Sequence, residues 1–505
     1  PARTAERLTS ITRVPGKPIL ASLMGGLVVE AGEEILNQAN IPTFTYPDTA
    51  ARVFHAMWRY SYNLYALYET PMPAANDGHR PDLARTAAIM QRVQATGRNL
   101  LTEPEAKELL AAYGFPVVPT HSAHSAEEAV AVADRLGYPV VLKLLSLTVT
   151  HKSAAGGVRL NLPHTEAVRS AYDDIRASAA HMDEVEFLGV TVQPMVVSEG
   201  YELILGATVD ADFGPVLLFG SGGRMVEVYA DRVAGLPPLN TTLARRLIEQ
   251  TRVFHALRGA HGRWPVDLAA LEQLLVRFSY LLVEEPRIKE IDINPLLASP
   301  NGLVALDARV VVHDRGIEDE RLPRPAIRPY PSRYVENTTM ADGTPVTIRP
   351  IRPEDEPLMA RFHETLSERS VYMRYFHPIK LSQRVTHERL TRICFIDYDR
   401  EMALIVERRN PGNGEPEIVA VGRLSKRRGS GEAEFALLIS DLVQGQGLGT
   451  ALLSRLVAIG RDEGIRRITA EILPENRGMR RVSEKLGFRL RHSTADGVVK
   501  ATLDL

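Results

Sequence analysis

Two stretches of this sequence hold residues whose types and spacing suit group transfer. The first is Gln444-Gly445-Gln446-Gly447-Leu448-Gly449-Thr450, directly after the apolar run Ala433-Glu434-Phe435-Ala436-Leu437-Leu438-Ile439. The run reads as a strand, and Leu448, Leu452, Leu456 and Ile459 then recur on one helical face. A strand, a glycine turn and a helix N-terminus bring free N–H groups and the helix dipole together, as a pyrophosphate requires. Glycines keep side chains out of the anion's way. Glu434 stands on the strand before that loop. The plain reading of Glu434 is an exposed strand glutamate. Glu432 lies on the same strand face by period two.

The second stretch lies mid-chain. Tyr138-Pro139-Val140-Val141-Leu142-Lys143 reads as a buried strand ending in a lysine that can point along the sheet to a ligand. His151-Lys152-Ser153-Ala154-Ala155-Gly156-Gly157-Val158 follows, and paired glycines can form an anion-binding nest. Asn294 and Asp307 lie on two short strands that could pair side by side, and such hard oxygens suit a Mg²⁺ that also holds phosphates. The plain readings are a solvated lysine, a hairpin turn, and turn-forming Asn and Asp. A dinucleotide fold is a rival for the first stretch. Its Gly-x-Gly-x-x-Gly spacing differs, however, and no opening βαβ unit surrounds residues 444–450.

The elements that must position these groups are legible in outline. At about 150 residues per domain, 505 residues suggest about three domains. Pro-rich stretches around Pro71–Pro81 and Pro323–Pro331 divide the chain. In the first segment, a strand over Pro18–Met24, a helix over Val29–Gln38, a short strand at Ile41–Phe44 and a helix capped by Asp48 read as half of an α/β domain. Thr102 and Glu105 form a capping box at the next helix start. Sixty Lys and Arg against 62 Asp and Glu leave a net charge of −2. No global basic field recruits nucleic acid. No apolar run reaches membrane-spanning length. The single cysteine, Cys394, reads as a core thiol, in keeping with a reducing cytoplasm. Pro1-Ala2-Arg3-Thr4-Ala5-Glu6-Arg7 has neither an initiator Met nor a signal-peptide core. The simplest expectation is a chain that begins partway through a longer gene product.

The motifs also carry a resemblance. Lys143, His151-Lys152-Ser153-x-x-Gly156-Gly157-Val158, Val192-Gln193-Pro194-Met195, Gly200-Tyr201-Glu202-Leu203, Phe213-Gly214-Pro215, Gly222-Gly223, Glu227 and Ile291-Asp292-Ile293-Asn294-Pro295-Leu296 look like the ATP-grasp domain of NDP-forming acyl-CoA synthetases. The likeness runs over nearly all of residues 81–314. Residues 340–505 resemble the GNAT acyltransferase fold. With Ser367–Phe376 and Asp397–Ala403, they are similar to Pat-type bacterial protein lysine acetyltransferases, which carry a GNAT domain behind a synthetase-like region. The implied fold is a multidomain α/β and α+β chain. It comprises a partial flavodoxin-like CoA-ligase domain (1–75), an ATP-grasp domain (81–320), a linker (321–339) and a C-terminal GNAT domain (340–505).

That resemblance implies roles. Gln444, Gly445, Gly447, Gly449 and Thr450 would hold the pyrophosphate of acetyl-CoA or another acyl-CoA. Asn476 would face the pantetheine arm, unless it is only a helix cap. Glu434 would be the general base: an ammonium is not a nucleophile, and a carboxylate in a half-buried cleft can take its proton through a water, with Glu432 as the alternative base. Lys143, Gly156, Gly157 and Glu202 would hold ATP, Asn294 and Asp307 would bind Mg²⁺, and His151 would stand at a phosphate relay. Asp397 and Asp399 would attract an amine or cap loops. The implied activity is acetyl transfer to lysines of metabolic enzymes, acyl-CoA synthetases among them. The synthetase-like region would then be a nucleotide- or acyl-CoA-sensing module in a cytoplasmic protein able to form homo-oligomers. The alternatives are an NDP-forming acyl-CoA synthetase with an accessory GNAT domain, a nucleotide sensor, and a GNAT acting on a small amine.

Overall fold

The computed structural model describes residues 1–11, 17–71, 81–148, 156–181, 185–197, 199–223, 230–259, 264–493 and 496–505. Pro1–Glu69 form one unit and Thr70–Leu505 another. The first unit holds α1 (Ala2–Ile11), β1 (Ala21–Ser22), α2 (Glu30–Gln38), β2 (Thr43–Phe44) and α3 (Pro47–Leu67). β1 and β2 pair in parallel, Ala21 with Thr43 and Ser22 with Phe44. The strand expected over 18–24 is thus only two residues long. Pro18 lacks a donor, and the chain turns away at Gly25 and Gly26, both at positive φ. Asp48 is not the helix cap. Tyr46 holds that position without a side-chain bond, Pro47 starts the helix, and Asp48 instead pairs with Arg52 at 3.0 Å. Ala5, Leu36 and Ile41 form a small core, while no described residue of α3 is buried.

The second unit opens with α4 (Leu83–Ala95) and α5 (Glu103–Ala112). The Thr102–Glu105 capping box starts α5 as expected. β3 (His121–Ala123), α6 (Ala126–Leu136), β4 (Val140–Leu145), β5 (Val158–Leu162), α7 (Thr165–Ala180) and β6 (Gly189–Pro194) follow. Their sheet runs β3-β6-β4-β5, antiparallel, with α6 and α7 packed on it. Next come β7 (Tyr201–Asp210), β8 (Gly214–Ser221), β9 (Arg232–Gly235), α8 (Thr241–Glu249), α9 (Val253–Leu257) and α10 (Leu268–Glu284), then β10 (Ile288–Ser299), β11 (Gly302–Ala305) and β12 (Arg309–Val312). This sheet runs β11-β10-β7-β8-β9, with β12 also paired to β10. α4, α5 and α10 cover it in one apolar core. Mixed α/β layers of this kind let each apolar sheet face find a helix.

The last part is an eight-stranded sheet with strand order β13-β14-β15-β16-β17-β18-β20-β19. Its elements are β13 (Glu336–Thr339), β14 (Pro345–Pro350), α11 (Glu356–Glu364), α12 (Glu368–Tyr375), α13 (Leu381–Arg384), α14 (His387–Cys394), β15 (Glu401–Arg409), β16 (Pro416–Arg427) and β17 (Glu432–Ile439). α15 (Leu448–Asp462), β18 (Arg467–Ile472), α16 (Arg477–Lys485), β19 (Arg489–Ser493) and β20 (Val498–Asp504) complete it. Period-two alternation sorts β15 onto two cores. Met402, Leu404 and Val406 face the layer containing α15, and Ala403 and Ile405 face the layer containing α11 and α14. Leu448, Leu452, Leu456 and Ile459 are all buried, as their spacing predicts. Cys394 is buried too, and burial pushes its thiol up to about 12.

β13 falls within the stretch expected to be a linker, and the residues before it are docked rather than loose. Ala326 N donates to Phe213 O at 3.1 Å, Tyr330 Oη donates to Pro350 O at 3.0 Å, and Arg328 Nη1 donates to Glu463 at 2.9 Å. A Cβ on Gly214, at φ +68°, would lie 2.1 Å from Arg324 O, so only glycine lets this strap pass.

Candidate functional site

β4 is buried along its whole length and delivers Lys143 to a closed cluster of charges. Lys143 Nζ donates to Glu103 Oε1 at 2.9 Å and Leu306 O at 3.0 Å, and lies 3.2 Å from Asp307 Oδ2. Glu103 Oε1 also accepts from Lys107 Nζ at 2.9 Å and Gln193 Nε2 at 2.6 Å. Lys107 Nζ reaches Thr120 Oγ1 at 2.9 Å and Leu306 O at 2.9 Å as well. Glu103, Lys107 and Lys143 are 4%, 3% and 7% exposed, so water screens none of them. Burial, reinforced by the charge of Lys143 and only partly offset by Glu103, lowers Lys107 to about 8. Burial also works against the charge of Lys143, but Glu103 and Asp307 together outweigh it and hold that ammonium above its ordinary value.

The β10–β11 hairpin extends past its last paired strand residue, since Leu306 N donates to Pro295 O at 3.0 Å. Asn294 and Asp307 flank that bond in sequence. Asn294 Oδ1 accepts from Gly223 N at 3.1 Å, and Gly222 N donates to Glu202 O at 2.8 Å. Glu202, Gly223 and Asn294 therefore gather at one end of β7, and Asp307 gathers with Lys143. Gly156 and Gly157 sit at the head of β5, where Gly157 O accepts from Leu144 N at 2.7 Å. His151, Lys152–Ala155 and Glu227 lie outside the described residues. Among the described residues no three His, Cys, Asp or Glu side chains gather as a metal cage. Asn294 and Asp307 supply two hard oxygens, a donor set that fits a Mg²⁺ arriving with phosphates, whose remaining ligands come from substrate and water. Sequence reasoning missed Glu103 and Lys107 as site residues. Their i,i+4 spacing on α5 was the available signal.

The second site is built on β17 and α15. Gly445 and Gly447 take φ +80° and +83°, and Gly447 caps α15 with no side-chain bond. The first N–H groups of this 15-residue helix are therefore left for an anion. Gln444 Nε2 donates to Asp441 Oδ1 at 3.0 Å and Ser370 Oγ at 3.3 Å, and Ser370 Oγ donates to Asp441 at 2.7 Å. Asp441 Oδ2 also accepts from Ser367 N at 2.7 Å, tying the loop to the start of α12. Gly449 lies against Ile439 and Val482, where a Cβ would come within 3.3 Å and 3.7 Å. Thr450 lies in the first turn of α15.

β17 and β18 pair in parallel only from Glu432 to Glu434, opposite Arg467 to Thr469. Beyond Glu434 no described strand pairs with that edge of β17, and the two strands part. Glu434 stands at the parting point, half exposed and 3.3 Å from Arg427. Glu432 is engaged by Arg467 at 3.2 Å. Asn476 is the cap of α16, its Oδ1 accepting from Met479 N at 3.1 Å. Asp397 Oδ1 accepts from Asp399 N at 3.0 Å, so loop capping occupies one of that pair.

Comparison with known proteins fits this division. A family model described as an ATP-grasp domain matches residues 92–312, and one described as an acetyltransferase (GNAT) domain matches 346–489. The beta subunit of ADP-forming acetate–CoA ligase I from Pyrococcus furiosus is 38% identical over 231 residues, 46% of this chain and 99% of that protein. ADP-forming acetate–CoA ligase I from Archaeoglobus fulgidus is 32% identical over 318 residues, 62% of this chain and 45% of that longer protein. The chain thus spans about half the length of this single-chain relative. The crystal structure of the GNAT domain of S. lividans PAT is 32% identical, covers 35% of this chain and 99% of that one, and has a TM-score of 0.31. By its ATP-grasp region the chain belongs to the family of ADP-forming acyl-CoA ligases, and a GNAT acetyltransferase domain is fused behind that region.

Proposed function

We propose that the chain transfers an acyl group, acetyl in the first instance, from acyl-CoA to lysine side chains of protein substrates such as metabolic acyl-CoA synthetases. The observation that carries this reading is the parting of β17 and β18 at Glu434, beside the open N-terminus of α15. The pyrophosphate would lie on the Gly445–Thr450 turn. The unpaired edge of β17 offers backbone groups to the amides of the pantetheine arm, as sheet edges do for extended chains. Asn476, with Oδ1 already given to Met479, has its amide N–H groups for the same arm. The thioester then reaches Glu434. The lysine amine attacks the thioester carbonyl, the C–N bond forms and the C–S bond breaks. Glu434 takes one proton from the lysine ammonium before attack, and the second, lost from nitrogen as the tetrahedral intermediate collapses, ends on the departing thiolate, so CoA leaves as the thiol. Direct transfer is favoured because Cys394 is buried and unavailable as an acyl carrier.

The ATP-grasp region, in this reading, binds MgATP and reports it to the transferase. Lys143 would take the phosphates, with Gly156 and Gly157 nearby. Glu202 would hold the nucleotide, Asn294 and Asp307 would hold Mg²⁺, and His151 would stand at the relay position. A second reading, ATP-driven acyl-CoA formation, is supported by the 38% identity to the ligase beta subunit. It requires ADP release that depends on both CoA and a carboxylic acid. Glu434→Gln decides the first reading. It should bind acetyl-CoA as the parent does and lose transfer near neutral pH by about 10²- to 10⁴-fold. Full transfer by the variant would remove Glu434 from the mechanism.

A further inference from the structure

The helices α11 to α14 of the GNAT domain bring together cations to which, among the described residues, no carboxylate bonds. Arg374 and Arg389 each place a guanidinium 5.0 Å from the centroid of the Tyr375 ring. Arg384, 5% exposed, gives one N–H to His363 O at 3.0 Å, and its Nε has no partner. The Nε of Arg389 is likewise buried and unpartnered. His363 is 1% exposed, and neither ring nitrogen finds a partner. Among the described residues no carboxylate bonds to Arg374, Arg384 or Arg389. Neighbouring Arg423, by contrast, is satisfied by Glu401 and Ile393 O. An orphaned buried donor costs about 1–3 kcal/mol, and more when it is charged. Burial and the neighbouring arginines push the His363 ring down to about 4, so it is neutral and one of its nitrogens is a donor; with the two guanidinium Nε atoms that makes three unanswered N–H donors, a site prepared for acceptor oxygens. A carboxylate carries about four lone-pair positions and the missing charge.

The location says which carboxylate. α12, which bears Arg374, packs against β17, which bears Glu434, and the charges of these two residues attract. Its other end is fixed to the pyrophosphate loop through Ser370 and Asp441. An anion held here lies beside the station of the attacking amine. We propose that Arg374, Arg384, Arg389 and His363 bind a carboxylate carried by the acyl acceptor itself, delivering its amine to Glu434. The acceptor is then an amine with an acidic group close by. That group is either an Asp or Glu near the target lysine or the α-carboxylate of a free amino acid. This rests on the acyl-transfer reading, and the test separates the two.

Transfer from acetyl-CoA is measured with matched acceptors. One arm compares a lysine peptide carrying Asp near the lysine with its Asn counterpart. The other compares Nα-acetyl-lysine with its amide. The expected result is a preference of about tenfold or more in kcat/KM for the acid in one arm, which identifies the source, collapsing to near one in Arg389→Met. Equal rates for acid and neutral acceptors in both arms, with transfer occurring, overturn the proposal and leave the acyl-transfer reading intact. Absence of transfer to every acceptor counts against that reading instead. In that event the melting temperature of the full chain in succinate against chloride, at equal ionic strength, decides the pocket. A rise in the parent that is absent in Arg389→Met supports it, and no rise in the parent overturns it.

Discussion

The lysine cluster of the ATP-grasp region and the arginine cluster of the GNAT domain solve the same problem in opposite ways. Both bring cations out of water. Around Lys107 and Lys143 the chain supplies its own answer, with Glu103 and Asp307 as counter-charges and Gln193, Thr120 and Leu306 O as acceptors. Around Arg384 and Arg389 it supplies aromatic faces and a carbonyl, and leaves nitrogens bare. A cluster that closes on itself contributes to holding its domain together. A cluster left open spends stability on something that arrives from outside. Unsatisfied polar groups are therefore one guide to where a ligand belongs, while in the closed cluster Lys143 and Asp307 must exchange partners to take phosphates and Mg²⁺.

The contrast can be broken most sharply at Glu103. Glu103→Ala strands two ammoniums side by side and should destabilise the ATP-grasp region by about 3–5 kcal/mol, read as the loss or downward shift of its calorimetric transition. A mutant melting like the parent would mean that the cluster is not closed in solution. Glu463 offers an intermediate case, one acid among Arg328, Arg333 and Lys426. Burial pushes its carboxyl up, but Arg328 and Lys426 overcome this and hold it down at about 2 against 4.5 unfolded. Its folded-state value is depressed, so the stabilisation is complete above pH 4.5 and is lost as pH falls toward 2. Glu463→Gln should lower GNAT stability at pH 7 by up to about 3 kcal/mol, and melts from pH 6 to 3 should show the gap closing. The smallest effect is expected where the cluster is open. Arg389→Met keeps the stem and removes an unanswered charge, so without ligand its stability should stay within about 1 kcal/mol of the parent, in the stabilising direction. A loss of several kcal/mol would show that Arg389 is satisfied after all.

Much of this was legible in the sequence because it is local. The Thr102–Glu105 box lies within four residues, the glycine turn lies between one strand and one helix, and the apolar stripe of α15 repeats along a single element. The two charge clusters were not legible. Glu103 and Lys107 share a helix, but their partners Lys143, Gln193 and Leu306 lie about 40 to 200 residues away. The unpaired cluster draws His363, Arg374, Arg384 and Arg389 from four separate helices, each unremarked alone. In the first unit the reading overshot. Apolar residues over 18–24 promised a strand, but a strand needs partners, and β1 has only β2 for two residues. Asp48 matched the residue type of a cap, whereas Pro47 set the helix start one position earlier.

The docked strap before β13 has a practical consequence for dissecting the gene. A GNAT fragment begun at residue 340, the boundary that the family resemblance implies, discards β13 and leaves β14 as a bare edge, open to pairing between molecules. It also strips Arg328, Arg333 and Tyr334 from Glu463, leaving Lys426 as its partner at the C-terminal end of the helix whose other end carries the Gly445–Thr450 turn. A fragment begun at Leu322 keeps the edge strand and all three contacts. Where the knife falls between residues 322 and 340 thus decides whether an excised transferase behaves as it does within the whole chain.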